Sequence, residues 1–204
     1  MDATAVCERV RQVAAVRTDT AADGVAVRAG LRSVAVVRAW LAAAEAELVR
    51  RLAQTEACPE QPIAEAGRAS VAEAAKALAR SRTLENTPKL AGALERGEVT
   101  PGHVDAVTEV AKGSSGNERA ELLRRADGLT AVAVVGSVPE FRRRLQAEAR
   151  RLKEDDGEAR FARLRAGRRL RWWSDPEDGM WHLHGRFDPV TGAGLQGRLE
   201  AAIE

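Results

Sequence analysis

The sequence has few of the residue types that build metal centres, disulfide frameworks or aromatic cores. Its 204 residues include two cysteines, three histidines, three phenylalanines, four tryptophans and no tyrosine. Cys7 and Cys58 lie far apart without C-x-x-C spacing, which argues against a disulfide framework and a thiolate zinc site. The sequence contains no run of roughly 18 apolar residues, and Met1-Asp2-Ala3-Thr4 lacks the pattern of a secretory signal. We therefore expect a cytoplasmic protein with no membrane partner.

Charge is distributed unevenly along the chain, although the net charge is only +2. The segment that ends at Pro139 carries 18 basic and 18 acidic residues, whereas 140–171 carries 12 and 6, and 172–204 carries 2 and 6. The aromatic residues also concentrate in the last third. This pattern predicts a helical lobe over 1–136 and a second part over 137–204, made of basic helices, a β-hairpin and a C-terminal helix.

Hydrophobic periodicity predicts that the first part is a bundle of helices. Apolar residues between Val25 and Gln54 recur at helical spacing, among them Leu31, Trp40, Leu41 and Leu48, which predicts a long amphipathic helix with this stripe against a partner. The segment Met1–Val16 is the expected partner, with a turn at Asp23-Gly24. Two prolines and a glycine predict a loop over Cys58–Gly67.

Capping signals predict where most of the other helices begin. Ser70-x-x-Glu73 and Ser137-x-x-Glu140 have the capping-box pattern, and the second opens a basic helix that ends near Lys153. Thr87-Pro88 and Thr100-Pro101 each place a hydroxyl before a proline at the first helical position. His103 is expected to turn its ring back to the Thr100 amide, a structural use that we favour over catalysis.

The remaining signals in this region are weaker. Gly97 and Gly113 are expected to end helices in the left-handed conformation, and Asn117 to cap a helix that ends near Gly128. The run Ala131–Val138 fits either a short strand or a helical turn, and we favour the helical connection. A second basic stretch, 158–167, is also predicted to be helical.

The chain then changes from helical to alternating periodicity. Arg169–Trp173 and Met180–Phe187 read as two strands around a turn-rich segment, which predicts an antiparallel β-hairpin. Trp181, Leu183 and Phe187 should point to one face, and His182, His184 and Arg186 to the other. Asp188-Pro189 is expected to cap a final helix. The predicted fold class is mainly α, a multi-helix domain with a small C-terminal antiparallel hairpin followed by a helix.

Three of these segments resemble a known family. They are Ser70–Ala75, Leu94–His103 and, most specifically, Asp178–Ala193, and they are similar to the actinobacterial domain-of-unknown-function family numbered 222, known also from the mycobacterial 13E12 repeat proteins. The resemblance covers roughly 31–204. It implies a mostly helical domain that stands before a small HNH nuclease module, and thus an association with DNA-cutting modules.

The residues of an HNH site do not occur in this sequence. Such a site needs several metal-ligand side chains, a general-base histidine and a positioning asparagine on a hairpin and helix. The sequence offers the histidines at 103, 182 and 184 and the asparagines at 86 and 117, without the required spacing. We expect a nuclease module, if there is one, to be encoded downstream, and we predict no catalytic residues here. Whether the protein is an enzyme stays open.

No metal or cofactor site is predicted. His182 and His184 are two apart on a strand and can reach one metal ion from one face, but two ligands are too few for a site, which makes them weak candidates. The run Gly192–Gly197 matches G-x-G-x-x-G, yet no parallel strand of a βαβ unit precedes it. We therefore expect no bound cofactor.

The high density of arginine between residues 142 and 171 is the feature with the clearest functional meaning. Arginine guanidinium groups bind phosphate oxygens in pairs, and several on adjoining elements support sequence-independent contact with duplex DNA. The candidate nucleic-acid-binding residues are Arg142, Arg143, Arg144, Arg150, Arg151, Arg163, Arg168, Arg169 and Arg171. The other interpretation is a solvated helix face paired with neighbouring glutamates.

The function that these observations favour is a non-catalytic, DNA-associated accessory domain of an HNH-endonuclease-like protein. Two alternatives of other classes stay open. The long helix Val25–Gln54 can pair across a two-fold axis, which makes the chain a scaffold or a homodimerisation module. The chain can also be a decayed remnant that does not bind DNA.

Overall fold

The computed structural model describes residues 1–114, 116–154, 162 and 164–203. Its helices are α1 (Ala3–Thr18), α2 (Gly24–Thr55), α3 (Glu60–Gly67), α4 (Val71–Glu85), α5 (Pro88–Arg96), α6 (Pro101–Ala111), α7 (Gly116–Gly128), α8 (Thr130–Val135) and α9 (Val138–Glu154). Two antiparallel strands, β1 (Arg169–Ser174) and β2 (Trp181–Arg186), precede α10 (Pro189–Ile203). This confirms the predicted fold class. The helix expected over 158–167 falls mostly outside the described residues.

Internal contacts divide the chain into two compact units, Met1–Ala149 and Arg150–Glu204. We call them the helical unit and the hairpin unit. The start of α9 belongs to the helical unit, since Phe141 and Leu145 are fully buried. The sequence-based division at 136/137 stays a prediction. Within the described ranges, no helix is both long enough and apolar enough to span a bilayer.

The core of the helical unit is built from leucine, valine and many alanines. On α2 the buried positions include Ala39, Ala42, Ala46 and Val49, which recur every three or four residues. Their small side chains let α4 and α5 pack against α2. The expected burial of the larger stripe is therefore wrong in part, because Leu31, Leu41 and Leu48 are 54–65% exposed.

α1 and α2 pack against each other, as the sequence predicted. α1 lies along the first half of α2, where the Trp40 Nε1 donates to the Met1 carbonyl at 3.2 Å. The predicted turn at Asp23-Gly24 is wrong in detail. Asp23 caps α2 by accepting from the Ala26 amide at 2.7 Å, and Gly24 is already the first helical residue.

The loop predicted over Cys58–Gly67 is wrong, since 60–67 forms α3. Pro59 precedes the helix and Pro62 lies in its first turn. Those positions suit proline because the first amides of a helix have no partner within the helix. The helix ends at Arg68, a non-glycine residue in the left-handed region with φ of 50°.

The predicted helix caps are confirmed where the capping residue is close in sequence to the helix that it caps. Ser70 and Glu73 form the expected reciprocal capping box. α5 starts at Pro88 as predicted, but the Thr87 hydroxyl donates to the Thr83 carbonyl instead of capping it. The cap comes from Asp127, which accepts from the amides of Lys89 and Leu90 at 2.7 and 3.1 Å.

Several weaker predictions need correction. Gly97 ends α5 in the left-handed region with φ of 75°, as expected, but Gly113 does not, since α6 ends through ordinary helical geometry at Lys112. Asn117 lies inside α7, which begins one residue earlier and ends at Gly128 as predicted. For the run Ala131–Val138 the favoured helical connection is confirmed, because 130–135 forms the short helix α8.

Candidate nucleic-acid interface

The start of α9 places three consecutive arginines on the surface. The Glu140 carboxylate accepts from the Ser137 amide at 2.8 Å and from its hydroxyl at 2.7 Å, which sets the first turn as predicted. Phe141 and Leu145, four residues apart, anchor the inner face. The helical period then turns Arg142, Arg143 and Arg144 outward, and all three are exposed.

Further along α9, the arginines differ in their surroundings. Glu148 binds Arg125 of α7 at 3.0 Å, which ties the two helices together. Arg150 is exposed, and Arg151 is exposed but interacts with other residues of the chain. Arg163 lies outside the described residues. The structure therefore places the predicted arginines of α9 in two units, with Arg142, Arg143 and Arg144 in the helical unit and Arg150 and Arg151 in the hairpin unit.

Arg168 has a structural partner. Its guanidinium lies 2.7 Å from Oδ2 of Asp188, a residue that is fully buried. The other oxygen of Asp188 accepts from the amides of Val190 and Thr191, both at 3.2 Å, and so caps α10 as the sequence predicted. The hydrogen bond from the Thr191 side chain, with the nearby Arg168 charge, lowers the pKa of Asp188 to about 2.

The hairpin brings Arg169 and Arg171 together with residues of β2. In the antiparallel register, Arg169 faces Arg186, and Arg171 faces His184. Trp173 faces His182, and their rings stack with centroids 5.2 Å apart and planes 11° apart. Directly opposed residues share a face, so these six side chains form one surface, which we call the cationic face.

The other face of the hairpin is apolar. Leu170 faces Gly185, Trp172 faces Leu183, and a side chain at Gly185 would collide with the ring of Phe187. The predicted alternation in β2 is thereby confirmed. Every residue of both strands is exposed. Arg186 is not among the site residues predicted from the sequence. Its position opposite Arg169 follows from the alternation of side chains along a strand once the pairing register of the two strands is known.

Of the two weak metal candidates, His182 has other contacts. His182 stacks on Trp173, and its Nε2 lies 3.8 Å from the Asp175 carboxylate. His184 lies two residues further along the same face. In the part of the chain that the structure describes, no group of three or more histidine, cysteine, aspartate or glutamate residues is arranged to hold a metal ion.

His103 has the structural role that the sequence favoured. Its Nδ1 accepts from the Thr100 amide at 3.1 Å, so the ring proton sits on Nε2, which points to the Gly136 carbonyl at 3.4 Å. The ring also packs against Phe141, with centroids 5.5 Å apart. Burial lowers the pKa of His103, although the hydrogen bonds to the Gly136 and Thr100 backbones act in the opposite direction.

Comparison with known proteins identifies one family. The family model described as "Domain of unknown function (DUF222)" matches residues 28–204. No curated protein and no solved structure matches the chain.

Proposed function

The chain belongs to the domain of unknown function 222 family, and on that premise we propose that it is a non-catalytic, DNA-associated accessory domain of an HNH-endonuclease-like protein. In this proposal it works in the cytoplasm and contacts phosphates of duplex DNA through arginine. A nuclease module encoded downstream would supply the chemistry. The chain itself would hold that module on its substrate.

The observation that carries the proposal is the exposure of arginines that have no carboxylate within ion-pairing distance. Within the described ranges, no carboxylate lies within 4 Å of the guanidinium of Arg142, Arg143 or Arg144 on α9. The same holds for the arginines of the cationic face. Since a paired arginine would have to give up its partner before it could bind a phosphate, unpaired ones are better suited to that task.

Both units contribute, but in different ways. On α9 the three arginines are consecutive and fan around the helix, which suits contact with a curved phosphate backbone and carries no information about base sequence. On the hairpin, Arg169 and Arg171 lie along β1, and Arg186 of β2 lies opposite Arg169. The expected binding is therefore independent of sequence and strongly dependent on salt.

Fluorescence anisotropy with a labelled duplex tests the proposal. Affinity should fall steeply as salt rises, and the variant Arg142→Ala/Arg143→Ala/Arg144→Ala should flatten the slope of log affinity against log salt by roughly 0.9 for each lost phosphate contact. The matched control removes the same charge from exposed arginines that are bonded to carboxylates, through Arg11→Ala/Arg51→Ala/Arg96→Ala. Equal slopes for both variants would reject a contact at α9.

A second candidate function, a homodimerisation module, is favoured by the outer face of α2. Leu31, Leu41 and Leu48 are exposed. Together with Arg38 and Glu45 they occupy the two positions of a heptad repeat that face a partner helix. If two copies pack antiparallel across a two-fold axis, Arg38 of each lies near Glu45 of the other. The charges therefore suit a second copy of this chain.

Light scattering across the micromolar range tests this candidate. A dimer that dissociates in the variant Leu41→Glu would support it, because the substitution places a charge in the centre of the seam. The control Val25→Glu changes an exposed valine of α2 outside the heptad series. A parent chain that stays monomeric throughout removes the candidate and leaves DNA contact unaffected.

A further inference from the structure

The cationic face places two like charges directly opposite each other, since Arg169 faces Arg186. Opposed like charges destabilise a strand pair, whereas opposite charges there would stabilise it. In the described chain, no carboxylate lies within 4 Å of the guanidinium of Arg169, Arg171 or Arg186, so no ion pair there offsets the repulsion. An anion bound across the two strands would.

Trp173 lies on this face although the hairpin has an apolar face for such residues. Trp172, its neighbour, points to the opposite face with Leu170 and Leu183. Since three arginines share the face of Trp173, no apolar core can form over the indole. Trp173 is accordingly 50% exposed, and its ring stacks flat on the His182 ring. A flat aromatic surface beside cations is the combination that binds bases and phosphates together.

The carboxylate of Asp175 sets the direction of binding. It lies 3.8 Å from His182, at the turn end of the face, and would repel a phosphate there. The arginines lie at the other end, with Arg171 and Trp173 roughly 6.6 Å apart along the strand. The face thus offers an aromatic end for an uncharged base and a cationic end for the sugar-phosphate backbone.

We propose that the cationic face binds single-stranded DNA, with an unpaired base stacked on Trp173 and the backbone phosphates along Arg171, Arg169 and Arg186. A base in a duplex is already stacked on both sides and cannot take this place. This inference rests on the proposed function and deepens it, because it adds a preference for unpaired bases to the phosphate contact.

The test compares two adjacent tryptophans in the full chain. Anisotropy titrations use a labelled single-stranded thymidine oligonucleotide and a blunt duplex of equal length. Trp173→Leu should weaken single-strand binding about 5- to 100-fold, the loss expected for one base stacked on an aromatic ring, and change duplex binding little. Trp172→Leu, on the apolar face of the same strand, should leave both affinities within about two-fold of the parent.

A third variant separates stacking from folding. Trp173→Phe keeps an aromatic ring and should retain most of the single-strand affinity, while the fluorescence of the remaining hairpin tryptophans in all three variants checks that the hairpin is intact. Equal single-strand affinities for Trp173→Leu and Trp172→Leu would overturn the stacking inference while the phosphate contact stands. If the parent binds neither oligonucleotide, the proposed function fails as well.

Discussion

Arginine has different surroundings in the two units of this chain. In the helical unit several arginines are bonded to carboxylates: Arg80 donates twice to Asp105, and Arg124 and Arg125 both donate to Glu121. Those hydrogen bonds, from Arg124 first, lower the pKa of Glu121 to about 2. On the cationic face of the hairpin unit, Arg169 is instead opposed to another arginine, Arg186. The number of arginines therefore says less about binding than their partners do.

The units also differ in how they bury apolar residues. Leu90, Leu94 and Phe141 are completely buried in the helical unit. Trp172, Trp181 and Leu183 of the hairpin are 58–73% exposed. A two-stranded hairpin gains little stability from its own contacts. We therefore expect core substitutions to be costly in the helical unit and substitutions of equal size to cost little in the hairpin.

The largest expected effect is that of Phe141→Ala. Removing this fully buried ring, which packs against His103, should lower the free energy of unfolding by about 3–5 kcal/mol. Trp181→Ala, at a side chain that is 73% exposed, should change it by no more than about 0.5 kcal/mol. Denaturant titration measures the first effect by far-UV circular dichroism and the second by tryptophan fluorescence. Similar losses would mean that the hairpin tryptophans are buried in solution.

The next effect is confined to the hairpin unit. Asp188→Asn removes the charge that binds Arg168 and weakens the cap of α10. Because the folded state lowers the pKa of Asp188 to about 2, this carboxylate stabilises folding fully above its ordinary pKa of 3.8, and that contribution is lost as pH falls toward 2. The variant should lack this acid-dependent loss.

Tryptophan fluorescence can follow the hairpin unit, since Trp172, Trp173 and Trp181 lie in it and Trp40 alone lies in the helical unit. Acid titration of the parent and of Asp188→Asn should separate at pH below about 4 in fluorescence. Far-UV circular dichroism, which the helices dominate, should stay alike for both. If both signals distinguish the parent from the variant to the same extent, the two units do not unfold independently.

A smaller effect tests the helical unit by pH. Burial lowers the pKa of His103, so the unfolded chain takes up a proton first as pH falls. Stability from this group is complete above the ordinary pKa of 6.5 and decreases as pH falls below that value. His103→Ala should cost about 1 kcal/mol at neutral pH through loss of the cap on α6.

His103→Gln provides the matched variant. Glutamine at this position can accept from the Thr100 amide as in a capping box, and it does not titrate. Thermal unfolding at a series of pH values should show that this variant keeps the cap and lacks the decrease below pH 6.5. If the parent and the glutamine variant respond alike to pH, the ring does not control this transition.

The sequence predicted what short-range chemistry determines. The capping box at Ser70, the contact of Glu140 with Ser137, the use of His103 at the start of α6, and the cap at Asp188 each involve residues within four positions of one another. The alternation of the hairpin is local as well. These features need no knowledge of what packs against them.

Features that depend on distant partners could not be predicted in this way. The cap of α5 comes from Asp127, 37 residues after Leu90. The buried face of α2 is the alanine face because α4 and α5 pack there, although its leucines are more hydrophobic. Arg168 reads like any other arginine until its contact with Asp188 is known. The sequence therefore identified the arginines of the predicted site, and the structure shows which of them has a structural partner.

The most direct test of this account is the salt dependence of duplex binding by the variant Arg169→Gln/Arg171→Gln/Arg186→Gln. The control is Arg96→Gln/Arg124→Gln/Arg125→Gln, which removes the same charge from arginines that are bonded to carboxylates. If arginines without carboxylate partners bind phosphate, the first variant should flatten the slope of log affinity against log salt by about 2 to 3, and the control should change it far less. Equal slopes for the two variants would contradict the account.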